Sequence, residues 1–249
     1  MIPIIDFNDP NHLKHIEEAY TTVGFAVFKN TLSPQDRTKL NYWFIAMKQF
    51  FDLPLETKKL YSYQAENNLG YSVMGAENVD PTAPKDMKES FNFNNTRMPD
   101  KLWPHGWVPG FKYKAEETIN IADKLTLDIL HKFDIILSCG TTLVDAHKEM
   151  YNTTRIIHYP AYEGSLEDRQ MRIGEHSDYG TITLLWQITD VPGLEVQDLK
   201  GEWHPVPYAQ ALDEGAVVVN IGDLLQRWTN DYFVSTKHRV VNSHIHLPR

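Results

Sequence analysis

The chain has 249 residues, 42% of them hydrophobic and 12% aromatic, enough to build a sizeable core. A formal charge of −9 and a pI near 5.6 argue against nucleic acid or an anionic membrane as partner. The one cysteine, Cys139, excludes an intrachain disulfide and a cysteine zinc cluster, and no run of eighteen apolar residues predicts a membrane span.

Residues 2–7 read as a short strand ended by Asn8-Asp9-Pro10. They are too soon interrupted for a signal peptide, so the expected location is the reducing cytoplasm. Leu13, Ile16, Tyr20 and Val23 fall at helical spacing, and Gly24 stops that helix. Residues 25–28 have the composition of a buried strand. Ser33 followed by Pro34 supplies an N-cap and a proline at the first helical position. The helix so opened carries Leu40, Phe44, Met47 and Phe51 on one stripe and stops before Pro54.

Residues 60–110 are rich in turn formers and weak in periodicity, which predicts a lid or functional loop. Tyr61, Tyr63, Tyr71, Phe91, Phe93, Trp103 and Trp107 within it either line a cavity or form a satellite core. A helix is predicted over 111–137, with Ala115, Ile119, Leu125, Ile129 and Phe133 in register and Gly140 ending it. Cys139, after the apolar run Ile135 to Leu137, reads as a buried inert thiol. A second short helix is expected over 142–150.

From residue 154 the texture changes to short strands: 154–159, 171–176, 181–187, 194–197, 202–206, 216–221 and 236–241. With no long helix between them they predict a sandwich or barrel, not βαβ units. The expected plan is a single domain over 1–249. Its helical N-terminal part covers 1–150, and a β core carrying the functional site covers 151–249.

His176 and Asp178 are two residues apart in a β-prone run, a spacing that points both side chains to one face of a strand. His238 follows in a later strand. Two histidines and one carboxylate, with other positions open, are the donor set of non-haem Fe(II) oxygenases, and zinc accepts the same donors. His238 lies between Lys237 and Arg239 and also reads as a surface histidine, and His244-x-His246 is a rival pair near the end.

Several ordered motifs then bear on the question. They are Arg155-x-x-His158-Tyr159-Pro160, Gly174-Glu-His176-Ser-Asp178-Tyr-Gly-Thr-Ile-Thr-Leu-Leu, Val219-Asn220-Ile-Gly222-Asp223-Leu, Trp228-Thr-Asn230-Asp231 and Ser235-Thr-x-His238-Arg239-Val. With Ile2-Pro3-Ile4-Ile5-Asp6 and Lys88-Glu89-Ser90-Phe91, they resemble the isopenicillin N synthase-like family of 2-oxoglutarate- and Fe(II)-dependent oxygenases. The likeness is to fungal-type members such as thymine 7-hydroxylase.

That resemblance implies a mainly β fold with flanking α, built on a distorted double-stranded β-helix (jelly roll). It implies His176, Asp178 and His238 as catalytic iron ligands and Tyr159 beside the 2-oxoglutarate. Arg249 falls where the family has the arginine of an Arg-x-Ser pair, whose planar fork grips the cosubstrate's distal carboxylate. Arg155 faces the substrate pocket or is a surface charge, and Trp186 walls the pocket or belongs to the core. Asn220, Asp223, Trp228 and Asn230 read as architectural.

The implied cofactors are Fe(II), 2-oxoglutarate and O₂, with ascorbate as a possible reductant. The implied reaction oxidises a C–H bond of a small molecule and releases succinate and CO₂, with no obligate protein partner. Two alternatives stay open. One is a same-fold oxidase that does not use 2-oxoglutarate. The other is a catalytically silent binding form, because the sequence ends at Arg249 without the serine of Arg-x-Ser, the last barrel strand or the usual C-terminal helix.

Overall fold

In the computed structural model, which describes residues 1–94, 98–242 and 244–248, the chain opens with strand β1 (Ile4–Asp6), helix α1 (His12–Thr22) and strand β2 (Phe25–Lys29). Gly24 makes the turn between helix and second strand at φ +72°, and a Cβ there would lie 2.2 Å from the Val234 carbonyl oxygen. Helix α2 (Pro34–Phe51) starts as its sequence dictates: the Ser33 hydroxyl accepts from the Asp36 N–H at 3.1 Å. The short helix α3 (Leu55–Lys58) follows.

Strands β3 (Gly70–Ser72) and β4 (Glu89–Phe93) run through the segment expected to be irregular. They are ordered by pairing with each other and with β5 (Thr154–His158), a partner that local propensity does not reveal. The aromatic residues of this region mostly serve the core. Tyr61, Tyr71, Phe91, Phe93 and Trp103 are buried with Phe50, Trp43 and Phe111, while Tyr63 and Trp107 face outward.

Helix α4 (Phe111–Leu137) has the predicted bounds, but Ser138 ends it, in a left-handed conformation at φ 52°, two residues before Gly140. The buried Asp134 carboxylate ties this corner together, accepting the N–H groups of Leu143 and Val144 at 2.9 and 3.1 Å as helix α5 (Thr142–Ala146) begins. Helix α5 is shorter than the expected 142–150. Cys139 is half-buried and not sealed in apolar surroundings, because the chain turns just before it. Its thiol lies 3.0 Å from Asp134 Oδ1, and burial together with that carboxylate pushes its pKa up. A thiol held protonated in this way is inert.

The remaining elements are β6 (Ile173–His176), β7 (Ile182–Leu185), β8 (Leu194–Gln197), β9 (Trp203–Pro205), α6 (Ala211–Glu214), β10 (Val217–Ile221), α7 (Asp223–Trp228) and β11 (His238–Val240). Strand order is β1-β2-β10-β7 in one sheet and β6-β11-β8-β9 in another, the jelly-roll pair, with β3-β4-β5 as a third. Strands from the N-terminal part thus pair directly with strands from the C-terminal part.

Burial on both faces explains why β2 over residues 25–28 and β10 over 217–219 read as apolar runs. Val217, Val219 and Ile221 pack with Ala26 and Phe28 toward the helices. Val218 joins Phe25 and Val27 in a second core, where Leu194 and Val196 of β8 and Val240 of β11 also pack. The functional residues line this inner space.

A buried ion pair fastens the third sheet to the helices. Lys58 Nζ lies 2.7 Å from Glu89 Oε2 and 3.0 Å from the Phe51 carbonyl, both side chains under one-tenth exposed. His158 Nδ1 approaches Glu89 Oε1 at 2.8 Å, and the Tyr71 hydroxyl donates to the same carboxylate. Burial pushes Glu89 up, yet His158, Lys58 and Tyr71 together hold it below the ordinary carboxylate value. Lys58→Met strips the carboxylate of its buried cation and is expected to lower unfolding stability by about 3–5 kcal/mol in urea titrations. An unchanged midpoint and slope would contradict this.

Candidate metal centre

His176 is the last residue of β6, and Asp178 lies just beyond that strand, so the pair sits at a strand end. The register between β6 and β11 carries a bulge: Val240 faces Ile173 and His238 faces His176, three steps on one strand against two on the other. Such a bulge re-aims the side chains beyond it. It leaves His176 beside His238, with ring centroids 4.2 Å apart.

The three side chains converge. Nε2 of His176 and Nε2 of His238 lie 3.9 and 3.8 Å from Asp178 Oδ1, and the three donor atoms fall within 4.8 Å of one another. Each ring is oriented from behind. His176 Nδ1 is 2.9 Å from the Gly174 carbonyl oxygen and His238 Nδ1 is 3.2 Å from that of Thr236. A carbonyl only accepts, so both rings carry their proton on Nδ1 and turn the Nε2 lone pair toward the centre. Phe25 packs its edge against the His238 ring at 5.2 Å.

The carboxylate is divided in the same way. Asp178 Oδ2 accepts from the Thr183 hydroxyl at 2.7 Å and from Asn220 Nδ2 at 2.9 Å, which leaves Oδ1 for the centre. Burial pushes Asp178 up, but His238, the Asn220 and Thr183 hydrogen bonds and His176 outweigh it and hold the group below the ordinary carboxylate value. Burial and His176 push His238 below the ordinary histidine value against the pull of Asp178. The result is a neutral imidazole and an ionised carboxylate at neutral pH. Two imidazole nitrogens and one carboxylate oxygen suit a divalent first-row metal ion.

Nothing in the local sequence marks Asn220 and Thr183 as partners of Asp178, but the strand register explains them. Asn220 of β10 faces Thr183 of β7 across the sheet, both on the side of Asp178. Asn220→Ala is expected to weaken metal binding by about 10–100-fold while the chain stays folded. A metal titration giving parent affinity would contradict it.

The same register bears on Trp186, read from the sequence either as a pocket wall or as a core residue. It lies in step with Ile182 and Leu184, which pack against the helix-side core, and its indole belongs there too. Leu185, the neighbour of opposite parity, shares the inner face and is 36% exposed.

Tyr159 is buried in the inner core, with the Arg172 guanidinium 5.5 Å above its ring. Arg155 is on β5, on the same face as Ile157, which packs against the inner core. Its guanidinium lies 2.9 Å from Glu77 Oε2, so it is an exposed residue held in an ion pair. Arg249 lies outside the described residues.

His244 and His246 are exposed, with rings 6.3 Å apart, and no carboxylate joins them into a candidate metal cluster among the described residues. A further cluster of Asp198, Glu202 and His204 is explained by its turn. Asp198 accepts the N–H groups of Lys200 and Glu202 at 2.8 and 2.9 Å and meets His204 Nε2 at 2.8 Å. No helix among the described residues is long and apolar enough to cross a membrane.

Comparison with known proteins agrees with this geometry. Residues 2–109 match the family described as "non-haem dioxygenase in morphine synthesis N-terminal", and residues 151–246 match the 2OG-Fe(II) oxygenase superfamily. The chain is 35% identical to proline hydroxylase buaE of Petromyces alliaceus, over 95% of this chain and 75% of that protein. It is 34% identical to the 2-oxoglutarate-dependent dioxygenase htyE of Aspergillus rugulosus, over 90% and 72%. The crystal structure of full-length Neurospora crassa thymine 7-hydroxylase in complex with α-KG superposes with a TM-score of 0.85 at 32% identity, over 100% of this chain and 82% of that one.

Proposed function

Since this chain belongs to the 2OG-Fe(II) oxygenase superfamily, we propose that His176, Asp178 and His238 hold the ferrous ion on which its reaction depends. The chain is a 2-oxoglutarate- and Fe(II)-dependent dioxygenase, and O₂ is its oxidant. The observation that carries the ligand assignment is the convergence of two imidazole Nε2 atoms on Asp178 Oδ1, with every other polar atom of the three side chains already engaged.

Iron bound there would supply the O₂ chemistry that no side chain can perform. The protein's own residues orient and exclude. Thr183 and Asn220 keep Asp178 on one oxygen, and Phe25 packs against the back of His238. Leu185 and Ile157 present apolar surface on the inner face, which keeps water from the reacting C–H bond. By family likeness Tyr159 and Arg249 serve the cosubstrate. The pairing of β2 with β10 and of β4 with β5 supports one oxygenase domain over 1–249.

The substrate is a small polar molecule met at the rim by the Arg155–Glu77 pair. One charge of each sign side by side suits a ligand that carries both, or one that donates and accepts hydrogen bonds together. Proline hydroxylase buaE, homoarginine-6-hydroxylase of Glycine max and the Neurospora crassa thymine 7-hydroxylase crystallised with thymine are similar proteins whose names fit such a ligand.

The test is O₂ uptake and succinate release with a panel of free amino acids and pyrimidines. Both signals should require added Fe(II) and 2-oxoglutarate and rise with one compound of the panel. Substrate-driven O₂ uptake without 2-oxoglutarate would favour the oxidase reading.

A further inference from the structure

We propose that Asp86, with Lys88 behind it, is a positioning residue for His176, acting through the main chain of Gly174. The inference rests on the assignment of His176 as an iron ligand. The bulge between β6 and β11 falls between Ile173 and His176 and takes Gly174 out of the regular ladder. A buried backbone N–H freed in this way needs another acceptor. Here Asp86 Oδ1 accepts the Gly174 N–H at 3.1 Å, and the Gly174 carbonyl accepts from His176 Nδ1 at 2.9 Å. One residue therefore joins a buried carboxylate to the imidazole.

Asp86 cannot drift. Its Oδ2 accepts from Lys88 Nζ at 3.2 Å and from the Val79 N–H at 3.4 Å, and both charged side chains are 2% exposed. The Lys88 ammonium also meets Glu77 Oε2 at 3.2 Å, and Glu77 carries the Arg155 contact. Gly174 itself is walled in, since a Cβ there would lie 3.2 Å from Asp80 Cβ and 3.3 Å from Val79 Cγ2. The loop that bears Val79, Asp80 and Asp86 is thus pressed onto the bulge from one side, and β11 holds it from the other.

A buried ion pair is a poor way to stabilise a fold, because an apolar pair of similar shape does as well. What an apolar pair cannot do is accept the Gly174 N–H. Without that acceptor, residue 174 is free to rotate, its carbonyl leaves the Nδ1 proton, and the ring loses the orientation that aims Nε2 at the metal.

The test compares two doubly substituted full-length chains. Asp86→Asn with Lys88→Met removes the charges but keeps an acceptor. Asp86→Leu with Lys88→Met removes the acceptor as well and still fills the space. Co(II) serves as the probe, read as binding affinity and as its visible ligand-field spectrum.

The asparagine pair should bind Co(II) like the parent chain, with the parent spectrum. The leucine pair should bind about 10–100-fold more weakly with a shifted spectrum. Equal behaviour of the two pairs, whether both like the parent or both weakened, would overturn the proposal. A parent chain that itself fails to bind Co(II) would remove the metal centre and this inference together, so the two failures are distinguishable.

Discussion

His176→Ala is expected to abolish 2-oxoglutarate-dependent succinate formation. His176 lies at the meeting of everything that builds the centre. The β6 bulge aims it, the Gly174 carbonyl holds its Nδ1 proton, and the His238 ring lies tilted beside it at 4.2 Å between centroids. Alanine removes one of three donors, and the nearest polar atoms are already committed: Asp178 Oδ2 to Thr183 and Asn220, and His238 Nδ1 to Thr236. Among the described residues no further His, Cys, Asp or Glu joins this cluster to replace it.

Metal affinity should therefore fall by more than the about 10–100-fold that follows the loss of an outer hydrogen-bond partner. Stability should hardly change, because the His176 side chain is 24% exposed and bonds only to a backbone carbonyl two residues away. Succinate release in a coupled assay, with the variant's thermal transition alongside, checks both parts. Retained turnover would place the iron elsewhere.

Gly222→Ala is expected to cause the second large loss, by a steric route. The φ of Gly222 is −100°, which any residue adopts, so the demand for glycine is one of space. A Cβ would lie 2.2 Å from the Gly180 carbonyl oxygen, 2.8 Å from the Gly180 carbonyl carbon and 2.9 Å from the Asp178 carbonyl oxygen. All three are backbone atoms and cannot swing aside.

They belong to the turn that carries Asp178 into the centre, and that turn is stitched to the start of α7. The Gly222 N–H donates to Thr181 at 2.9 Å and the Asp223 N–H to Asp178 at 2.7 Å. Overpacking of this kind costs about 1–3 kcal/mol or more, and the displaced turn should drag Asp178 away from the two histidines. Urea unfolding and metal titration should both show the loss. An alanine chain with parent stability and affinity would mean that the two segments are not in contact as described.

How far the sequence reveals this protein differs from element to element. The bounds of α4 and β8 can be read off directly, because each has a strong period and clear punctuation. The His176 and Asp178 pair is legible from spacing, and the ordered motifs identify the family. Strands β3 and β4 are hidden, because only their pairing with each other, and of β4 with β5, makes them strands.

The second oxygen of Asp178 is likewise invisible locally. Its partners Thr183 and Asn220 come together only through the β7–β10 register, and one step of that register separates Leu185 on the inner face from Trp186 in the core. The role of Asp86 depends on a bulge, a feature that leaves no mark in the hydrophobic pattern.

Anomalous diffraction at the iron edge, from crystals loaded with Fe(II) without oxygen, tests the central claim most directly. One peak is predicted, bonded to Nε2 of His176, Oδ1 of Asp178 and Nε2 of His238, with Asp178 Oδ2 still held by Thr183 and Asn220. A peak at any other cluster, or none within bonding distance of these three atoms, would contradict it.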